Sequence, residues 1–284
     1  MIHGNIPRGF TTRFAPAPTG HLHLGHLVNA VWVWGLARAY DGRVLLRIED
    51  HDRGRSKTEY EDSIREDLRW LGFAHDGELM RQSDHRARYD ARLLELESSG
   101  LAYACICSRA DIGKGGRHSG TCKTRLLDSS GTVARRVVMD GHSIEHFDDL
   151  RHGPQSQEPV DQCGDMLARD RNDNFTYQFA VVVDDIEQGV NLVIRGDDLL
   201  DSTGRQIRLA RLLGRDTPPQ FLHHPLVMHP DGRKLSKSAG DAGIRELRAL
   251  GASAESVLGR AAQLGGLPHD GSPIAASELA HLFR

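Results

Sequence analysis

The sequence has no long hydrophobic run. None of its apolar stretches approaches the roughly 18 residues that a membrane-spanning helix requires, and its first ten residues, MIHGNIPRGF, lack the apolar segment of a secretory signal peptide. We therefore expect a cytoplasmic protein with no membrane association. The formal net charge is only −3. This value neither predicts nor excludes a nucleic-acid partner, because a local basic surface decides such binding.

Cysteine is also scarce, with four in 284 residues. Disulfides are rare in the cytoplasm, so we expect these cysteines to bind a metal or to remain free. The sequence has no internal repeat and no low-complexity tract, and 39% of its residues are hydrophobic, enough for a sizeable core. One large domain, or one domain carrying an insertion, is the expected organisation.

The first hundred residues alternate between strand-like and helix-like patterns. GFTTRFA is predicted to form a strand, and RVLLRIED a buried parallel strand. Helical spacing of apolar residues begins near His23, and two further helices are predicted to end at Gly72 and Gly100. This β-α-β-α order predicts an α/β fold built on a doubly wound, Rossmann-type parallel sheet.

The pattern breaks between about residues 104 and 174 and then resumes. YQFAVVVDDIEQGVNLVIRGDDLL contains two strand-like runs, and a helix is predicted to follow through Ile207 and Leu212. We interpret the irregular stretch as an insertion that divides the sheet. The predicted division is 1–103 and 175–244 for the two halves of the α/β domain, 104–174 for the insertion, and 245–284 for a short helical C-terminal segment.

The stretch FAPAPTGHLHLGH lies between the first predicted strand and the first predicted helix. A strand, a tight turn and a helix start together present unpaired backbone N–H groups that attract phosphate. The common motifs for this purpose, G-x-x-x-x-G-K-[ST] and G-x-G-x-x-G, are absent here. Instead, His23 and His26 are candidates to donate hydrogen bonds to phosphoryl oxygens, and Gly25 allows close approach to the backbone. The alternative is that both histidines only cap or pack the helix.

A second candidate phosphate site is HPDGRKLSKS, which follows the apolar FLHHPLVM. In such a loop, Lys234 and Lys237 have the charge needed to neutralise a triphosphate and a departing pyrophosphate. Considered alone, the segment is also typical of a solvated surface turn.

The segment CICSRADIGKGGRHSGTC gathers three of the four cysteines around one histidine. Cys105 and Cys107 form one close pair, and His118 and Cys122 form another. Three thiolates and one imidazole suit a tetrahedral, structural Zn²⁺ site. Free buried thiols are the alternative. Cys163 stands alone and is interpreted as structural.

Two groups of basic residues are candidates for RNA contact. One group has helical spacing and the other lies in the predicted insertion; they are Arg205, Arg208, Arg211 and Arg215, and Lys114, Arg117, Lys123 and Arg125. Phosphate contacts by such residues make binding strongly salt-dependent. A solvated helix face is the alternative for the arginine series. No RNA-recognition motif is present.

Six segments resemble, in order, the catalytic core of the glutamyl-tRNA synthetases, which are class I aminoacyl-tRNA synthetases. They are RFAPAPTGHLHLGHL, LRIEDHD, EDLRWLGF, FTYQFAVVVDD, GVNLVIRGDDLLDSTGRQIRL and PLVMHPDGRKLSKS. The resemblance covers about residues 10–240, with HLGH and KLSKS at the two nucleotide-binding motifs of class I. It implies a Rossmann-type ATP site, L-glutamate as the amino acid, Mg²⁺ on the ATP phosphates and a mixed-anhydride intermediate.

The resemblance also implies roles for individual residues. Those expected to bind glutamate are Arg13, Ala15, Ala17, Glu49, Tyr177 and Arg195. Those expected to bind ATP are His23, Gly25, His26, Lys234 and Lys237, of which His23, His26 and Lys237 are expected to stabilise the charge that moves during the reaction. In the glutamate group, Arg13 is expected to meet the side-chain carboxylate, because a guanidinium forms charge-assisted and often bidentate bonds to a carboxylate.

Structural roles remain open for several of these residues. Glu49 has the alternative of capping a helix, Tyr177 of packing in the core, and Arg195 of pairing with Asp197 or Asp198. One departure from the family is Val181, where glutamyl-tRNA synthetases often carry asparagine. A polar contact to glutamate is therefore expected to be missing.

The chain length resembles that of the shorter members of this family, the glutamyl-Q tRNA(Asp) synthetases. These lack the helical anticodon-binding region of full glutamyl-tRNA synthetases, activate glutamate without tRNA, and esterify queuosine in the anticodon of tRNA(Asp). The resemblance implies glutamate, ATP and queuosine-bearing tRNA(Asp) as partners and one structural Zn²⁺ per chain, and we expect a monomer. A tyrosine commonly occupies the position of His118 in these relatives. Since histidine is the better zinc ligand, this departure favours the metal site.

Two rival functions remain. Nucleotidyltransferases of the same superfamily share the histidine and lysine motifs but lack the RFAPA…IED…TY…IRG amino-acid pocket. A tRNA-binding relative that has lost catalysis is the non-enzymatic alternative, against which the intact histidines and lysines argue.

Overall fold

The computed structural model describes residues 2–52, 54–112, 117–125, 133–139, 144–227 and 243–284. Their strands and α-helices in chain order are β1 (Thr11–Phe14), α1 (Leu24–Ala39), β2 (Arg43–Ile48), α2 (Thr58–Trp70), β3 (Met80–Arg81), α3 (Arg86–Ser98), β4 (Ala102–Cys105), α4 (Arg109–Ile112), β5 (Ala134–Val137), β6 (Glu145–Asp149), β7 (Gly153–Gln157), α5 (Pro159–Cys163), β8 (Met166–Arg169), α6 (Tyr177–Glu187), β9 (Leu192–Gly196), α7 (Thr203–Leu212), β10 (Gln220–His224), α8 (Ile244–Ala249) and α9 (Ala254–Leu264). The strand–helix alternation predicted for the first hundred residues is confirmed.

The predicted helix ends coincide with glycines in the left-handed region. Gly72 follows α2 with φ +75° and Gly100 follows α3 with φ +70°. Residues with a side chain adopt this conformation at a cost that glycine does not carry. The two helices therefore end where the sequence predicts.

The strands around the candidate site form two sheets rather than the single parallel sheet predicted. β1, β2 and β3 are parallel, in the order β1-β2-β3. The second sheet has the order β7-β6-β10-β9; β10 is parallel to β9 and β6, whereas β7 is antiparallel to β6. The α/β class is as predicted, but the second sheet is mixed.

Asn191 connects the two sheets. Its backbone N–H donates to the Thr11 carbonyl at 3.0 Å, and its side-chain oxygen accepts from the Thr11 N–H at 2.8 Å. The amide side chain thus accepts from a backbone N–H of β1 that no strand partner satisfies. The carboxyl ends of β1 and β9 are brought side by side.

A third sheet is antiparallel, with the order β4-β5-β8. Its strands come from the region predicted as an insertion, 104–174, and from the residues just before it. However, β6 and β7 lie in the same region of the chain and join the second sheet through β10. The predicted domain boundaries remain a prediction, and the region 104–174 contributes to two different sheets.

The prediction of two strands in residues 177–200 is wrong for the first of them. Residues Tyr177–Glu187 form helix α6, and the Thr176 side chain caps it by accepting from the Phe179 N–H. The run of valines resembles a strand because β-branched residues favour strands. Most of the helix is buried, so its sequence lacks the polar face that reveals a helical period.

The C-terminal residues pack on α1. The Trp32 indole N–H donates to the Gly265 carbonyl at 3.1 Å, and the rings of Trp32 and Phe283 meet edge to face at 5.3 Å. Phe283 belongs to the 3₁₀ helix Ala276–Phe283. The core on this side of the first sheet therefore continues into the C-terminal segment. None of the helices described is long and apolar enough to cross a membrane.

Candidate active site

A cleft of about 460 Å³ opens at the carboxyl ends of β1, β9 and β10, beside the start of α1. Ligands of open α/β sheets bind at this edge. Eight of the predicted site residues line the cleft: Arg13, Ala15, His23, Gly25, His26, Glu49, Tyr177 and Arg195. They come from segments that are far apart in the sequence, and the fold brings them together. Ala17 is not among the lining residues that the structure describes.

The two histidines cap α1 and also line the cleft. His23 Nδ1 accepts from the Gly25 N–H at 3.0 Å, and His26 Nδ1 accepts from the His23 N–H at 3.2 Å. Because a backbone N–H can only donate, both Nδ1 atoms are acceptors, and the proton of each neutral ring lies on Nε2. The capping alternative is thus correct without excluding the functional one, since each ring has a second nitrogen.

Arg13 is held by a buried carboxylate. Its Nε donates to the two Asp185 oxygens at 3.0 and 3.2 Å. The same carboxylate accepts from Arg47, which is completely buried. Burial raises the pKa of Asp185, but Arg13 and Arg47 lower it more, and the net shift is downward. Asp185 therefore stays ionised and fixes the orientation of Arg13 beside the cleft.

Glu49 lies at the end of β2, next to the same charges. Arg47 Nη2 donates to Glu49 Oε1 at 3.3 Å. Burial raises the pKa of Glu49, and the positive charges of Arg47 and Arg13 oppose the shift. With its side chain lining the cleft, Glu49 is placed to bind a cationic group of a ligand. The predicted alternative of a helix-capping Glu49 has no counterpart among its described contacts.

Arg195 on β9 has a different environment from Arg13. Its guanidinium donates to neutral acceptors: His223 Nε2, Gln206 Oε1, Thr203 Oγ1 and the Leu199 carbonyl. The Tyr177 side chain is a further hydrogen-bond partner. Burial lowers the pKa of Arg195. Asp197, one of its predicted alternative partners, instead pairs with Arg151 and His152.

Sequence reasoning did not identify two polar residues of the cleft, Asn29 and His224. Asn29 Nδ2 lies 3.0 Å from His224 Nε2 and also donates to the Ile194 carbonyl. Burial lowers the pKa of His224 to about 4, so the ring is neutral at physiological pH. The only sequence signal was the adjacent pair of histidines in FLHHPLVM. By contrast, Val181 lies on α6 and is buried in the core.

Lys234 and Lys237 lie outside the described residues. The described residues that border them are informative. Val227 lines the cleft, and Gly243 pairs with His23 in an antiparallel bridge. The described residues on either side of the lysines, Val227 and Gly243, therefore both lie beside the cleft.

The four predicted metal ligands form one cluster. The ligand atoms of Cys105, Cys107, His118 and Cys122 all lie within 4.8 Å of one another. His118 Nε2 is 3.3 Å from Cys105 Sγ, and the Cys107 and Cys122 sulfurs are 3.4 Å apart. Three thiols and an imidazole at these separations fit a tetrahedral zinc site.

Polar groups behind the cluster would support a metal. Tyr103 Oη lies 3.1 Å from His118 Nδ1 and donates to Asp165 at 2.6 Å. Gly120 N lies 3.0 Å from the same His118 nitrogen. The Gly120 N–H donates to this Nδ1, which leaves the ring proton on Nε2 in this structure. A metal on Nε2 would require the proton on Nδ1, with the Tyr103 oxygen as its acceptor, and the Gly120 N–H would then have to turn away. Arg136 Nε contacts Cys105 Sγ at 3.3 Å, which offsets the negative charge of a thiolate.

Most of the basic residues proposed to contact RNA already have partners within the protein. Arg211 pairs with Glu145 at 3.0 Å, Arg117 with Asp161, and Lys123 with Asp165 at 3.0 Å. Arg205 donates to Ser202, and Arg215 to the Val190 carbonyl. Lys114 lies outside the described residues. RNA contact by these residues stays a prediction, as does the alternative of a solvated helix face for the arginine series.

Comparisons with known proteins identify the family of the chain. The model of the family "tRNA synthetases class I (E and Q), catalytic domain" matches residues 10–130 and 123–279. Glutamyl-Q tRNA(Asp) synthetase of Ectopseudomonas mendocina is 45% identical over 251 residues, which cover 84% of this chain and 84% of that protein. Glutamate–tRNA ligase of Nitratidesulfovibrio vulgaris is 39% identical, covering 96% of this chain and 60% of that protein.

A solved structure gives the same result. The crystal structure of a glutamate tRNA ligase from Elizabethkingia meningosepticum, in complex with its amino acid, matches with a TM-score of 0.81 and 26% identity over 96% of this chain and 64% of that chain. The chain spans less than two thirds of the glutamate–tRNA ligases that it matches. The resemblance to glutamyl-Q tRNA(Asp) synthetases, and the ligase class that it implied, are confirmed by curated relatives. The chain therefore belongs to the class I tRNA synthetases of the E and Q type.

Proposed function

We propose that the protein activates L-glutamate with ATP to glutamyl-adenylate without tRNA, and transfers the glutamate to queuosine in the anticodon of tRNA(Asp). The observation that carries the proposal is the single cleft in which α1 histidines, two buried arginines and Glu49 converge. Eight of the residues that the sequence motifs select line this cleft. The similarity to proteins named glutamyl-Q tRNA(Asp) synthetase supports the choice of acceptor.

The proposed reaction requires alignment more than proton transfer. A carboxylate oxygen of glutamate attacks the α-phosphorus of ATP, the bond to the bridging oxygen of pyrophosphate breaks, and the anhydride forms. The carboxylate is already ionised, so no general base is needed. The site must hold the two reactants in line and stabilise charge on the departing pyrophosphate.

The described residues suit these tasks. His23 and His26 carry their ring protons on Nε2 and lie at the positive end of α1, so they are suited to donate to phosphoryl oxygens. Lys234 and Lys237 are assigned to the same charge by the sequence motif. Mg²⁺ bound to the triphosphate would supply further charge neutralisation.

Recognition of glutamate rests on charge. Arg13 and Arg195 are assigned to the side-chain carboxylate, and Glu49 to the ammonium group. Glutamine would present an amide N–H₂ to the two arginines, leaving donors opposed to donors in a buried site. Such mismatches give strong discrimination.

We assign a structural Zn²⁺ to the cluster of Cys105, Cys107, His118 and Cys122. Four protein ligands leave no open position, so the metal would stabilise the irregular segment between β4 and β5 and take no part in the reaction.

Two measurements test the proposal. The first is ATP–pyrophosphate exchange with each amino acid in the absence of tRNA, where we expect exchange with glutamate only. The second is transfer of labelled glutamate to tRNA(Asp) with and without queuosine, where we expect transfer only to the modified tRNA. Exchange that requires tRNA(Glu), with transfer to its 3′ end, would instead identify a glutamate–tRNA ligase. Nucleotide transfer without any amino acid would identify a nucleotidyltransferase, and inactivity in both assays a tRNA-binding relative.

A further inference from the structure

A chain of three buried polar side chains reaches the candidate cleft from the second sheet. Asp149 on β6, His223 on β10 and Arg195 on β9 are each at most 4% exposed. His223 lies between the other two, with Nδ1 2.7 Å from Asp149 Oδ2 and Nε2 2.9 Å from Arg195 Nε. Only Arg195 lines the cleft. His223 and Asp149 can therefore influence a ligand in the cleft only through Arg195.

The hydrogen bonds determine the protonation of His223. The Nε–H of a guanidinium can only donate, so His223 Nε2 must be an acceptor. The proton of the neutral ring then lies on Nδ1, where it is donated to Asp149. A second proton on Nε2 would point at the Arg195 Nε–H, placing two donors and two positive charges in contact. The observed arrangement is compatible only with a neutral imidazole.

Asp149 is itself firmly held. Its Oδ1 accepts from the backbone N–H groups of Arg151 and His152. Its Oδ2 accepts from the backbone N–H of His223 as well as from the ring. The carboxylate thus has a fixed position, and it fixes the plane and tautomer of the His223 ring. A neutral ring with a fixed acceptor nitrogen in turn orients the Arg195 guanidinium.

The positive charge of Arg195 is not neutralised by its hydrogen-bond partners. Within the described part of the chain, its hydrogen-bond partners are an imidazole, an amide, the hydroxyls of Thr203 and Tyr177, and a carbonyl, all neutral. Arg13, by contrast, has the Asp185 carboxylate. A buried cation without a carboxylate partner is costly unless a ligand supplies the anion.

We propose that His223 is a positioning residue: its neutral ring, anchored by Asp149, aims the Arg195 guanidinium at the side-chain carboxylate of glutamate, and protonation of the ring weakens glutamate binding. This inference rests on the proposed function, because it requires an acidic amino acid in the cleft. Burial and the nearby Arg195 lower the pKa of His223, while the hydrogen bond to Asp149 opposes them; the net shift is downward. The ring is therefore neutral at physiological pH, and binding weakens only on the acid side.

Several charged or titratable groups face His223 and must be considered together. They are Asp149 on β6, Arg195 on β9, Asp197 in the following 3₁₀ helix, Arg151, which donates to the His223 carbonyl, and the adjacent His224. Two substitutions separate the role of the ring from that of its surroundings. In His223→Gln, the side-chain oxygen can still accept from Arg195 but cannot be protonated in this pH range. In His223→Leu, the acceptor is lost.

The test is glutamate-dependent ATP–pyrophosphate exchange by the full chain between pH 5 and pH 8. For His223→Leu at pH 8 we expect the KM for glutamate to rise about 10-fold or more, the scale for a lost hydrogen bond to a charged group. We expect kcat to change less than about threefold, and the KM for ATP to stay constant. For His223→Gln we expect a KM close to that of the unmodified protein at pH 8. The ratio of the unmodified KM to the His223→Gln KM should rise as the pH falls toward pH 5, because only the unmodified protein can protonate this ring. Glu49 is present in both proteins and cancels in this ratio.

His146→Gln is the matched control, because His146 is an exposed histidine on the same strand as Asp149. It should behave as the unmodified protein throughout. If His223→Leu has an unchanged KM for glutamate, or if the ratio does not change with pH, the proposal is overturned. If His223→Leu does not fold, the His223→Gln ratio still decides. If the unmodified protein itself shows no glutamate-dependent exchange, the proposed function fails first, and the inference fails with it.

Discussion

At the scale of single residues, the candidate site is organised by buried charges whose partners are already in place. Asp185 is shared by Arg13 and Arg47, so one carboxylate sets the position of a cleft cation and of a cation behind it. Groups held in this way need not reorganise when a substrate binds, which is the basis of electrostatic preorganisation. The histidine pair is held in a similar way, because Nδ1 of each ring accepts a backbone N–H at the start of α1.

One residue-scale prediction concerns Lys237. If it neutralises the departing pyrophosphate, Lys237→Ala should lower the rate of glutamate activation by about 100-fold or more, the usual scale for one transition-state donor. ATP–pyrophosphate exchange measures this directly. Lys57→Ala is the control, since Lys57 is an exposed lysine that pairs with Glu59 and should have little effect. Near-normal exchange by Lys237→Ala would contradict the assigned role.

Another residue-scale prediction concerns Asp67 on α2. Both of its carboxylate oxygens are buried without a hydrogen-bond partner among the described residues. Burial, with a contribution from Glu66, raises the pKa of Asp67 to about 6. A carboxyl group with a higher pKa in the folded than in the unfolded protein makes the fold less stable as the pH rises between those two values. Asp67→Asn cannot ionise, so it escapes this loss. The free energy of unfolding of Asp67→Asn minus that of the unmodified protein should therefore be about 1 kcal/mol larger at pH 8 than at pH 5.

Chemical denaturation at the two pH values measures this difference. Asp62→Asn provides the control, because Asp62 is exposed on the same helix. The same difference for both variants would show that burial of Asp67 is not the cause.

At the scale of elements, α1 carries the cap histidines at one end and the packing of the C-terminal segment along its side. Gly35 is the contact point: a Cβ there would lie 2.1 Å from the Phe283 ring. The glycine therefore permits the 3₁₀ helix to approach α1, despite the lower helix propensity of glycine. Close packing on this side fixes the helix whose first turn forms the site.

This packing predicts that the effect of Gly35→Ala on the free energy of unfolding changes sign when Phe283 is replaced. Gly35→Ala should destabilise the protein by about 1–2 kcal/mol, because the methyl group displaces the Phe283 ring. In a Phe283→Ala background the clash is absent, and Gly35→Ala should stabilise by up to about 1 kcal/mol through helix propensity. Denaturation of the four proteins of this double-mutant cycle tests the coupling. Additive effects would mean that the two residues do not meet.

The stability of the region around β4 is expected to depend on the metal cluster of Cys105, Cys107, His118 and Cys122. The purified protein should contain about one zinc per chain, and chelation should lower its thermal stability. Cys122→Ala should lose the metal and the corresponding stability, whereas Cys163→Ala should keep both, because Cys163 lies outside the cluster. Metal analysis and thermal denaturation provide the readout. Equal zinc contents in the two variants would remove the assignment.

At the scale of the whole molecule, the sequence predicts what depends on local pattern. The early strands and helices, the glycine stops and the clustering of cysteines with His118 follow from spacing. The convergence of Arg13, His26 and Arg195 follows from the family motifs. The patterns do not predict α6, because its burial hides the helical period. They also miss Asn29, His224 and Asp149, because their roles arise from contacts between elements that are distant in the sequence.

The placement of β6 has a consequence for how this architecture can change. After β4 and β5, which belong to the antiparallel sheet, the β6–β7 hairpin joins the sheet beside the cleft. The next strand, β8, then belongs to the antiparallel sheet again. The strands between residues 104 and 174 consequently belong to two different sheets, and the region cannot be removed as one independent unit. Transplanting them whole between relatives would carry away the inner neighbour of β10 together with Asp149. Chimaeras that fold should therefore exchange the β4-β5-β8 sheet and the cysteine cluster as separate segments, and should keep the β6–β7 hairpin of the recipient protein.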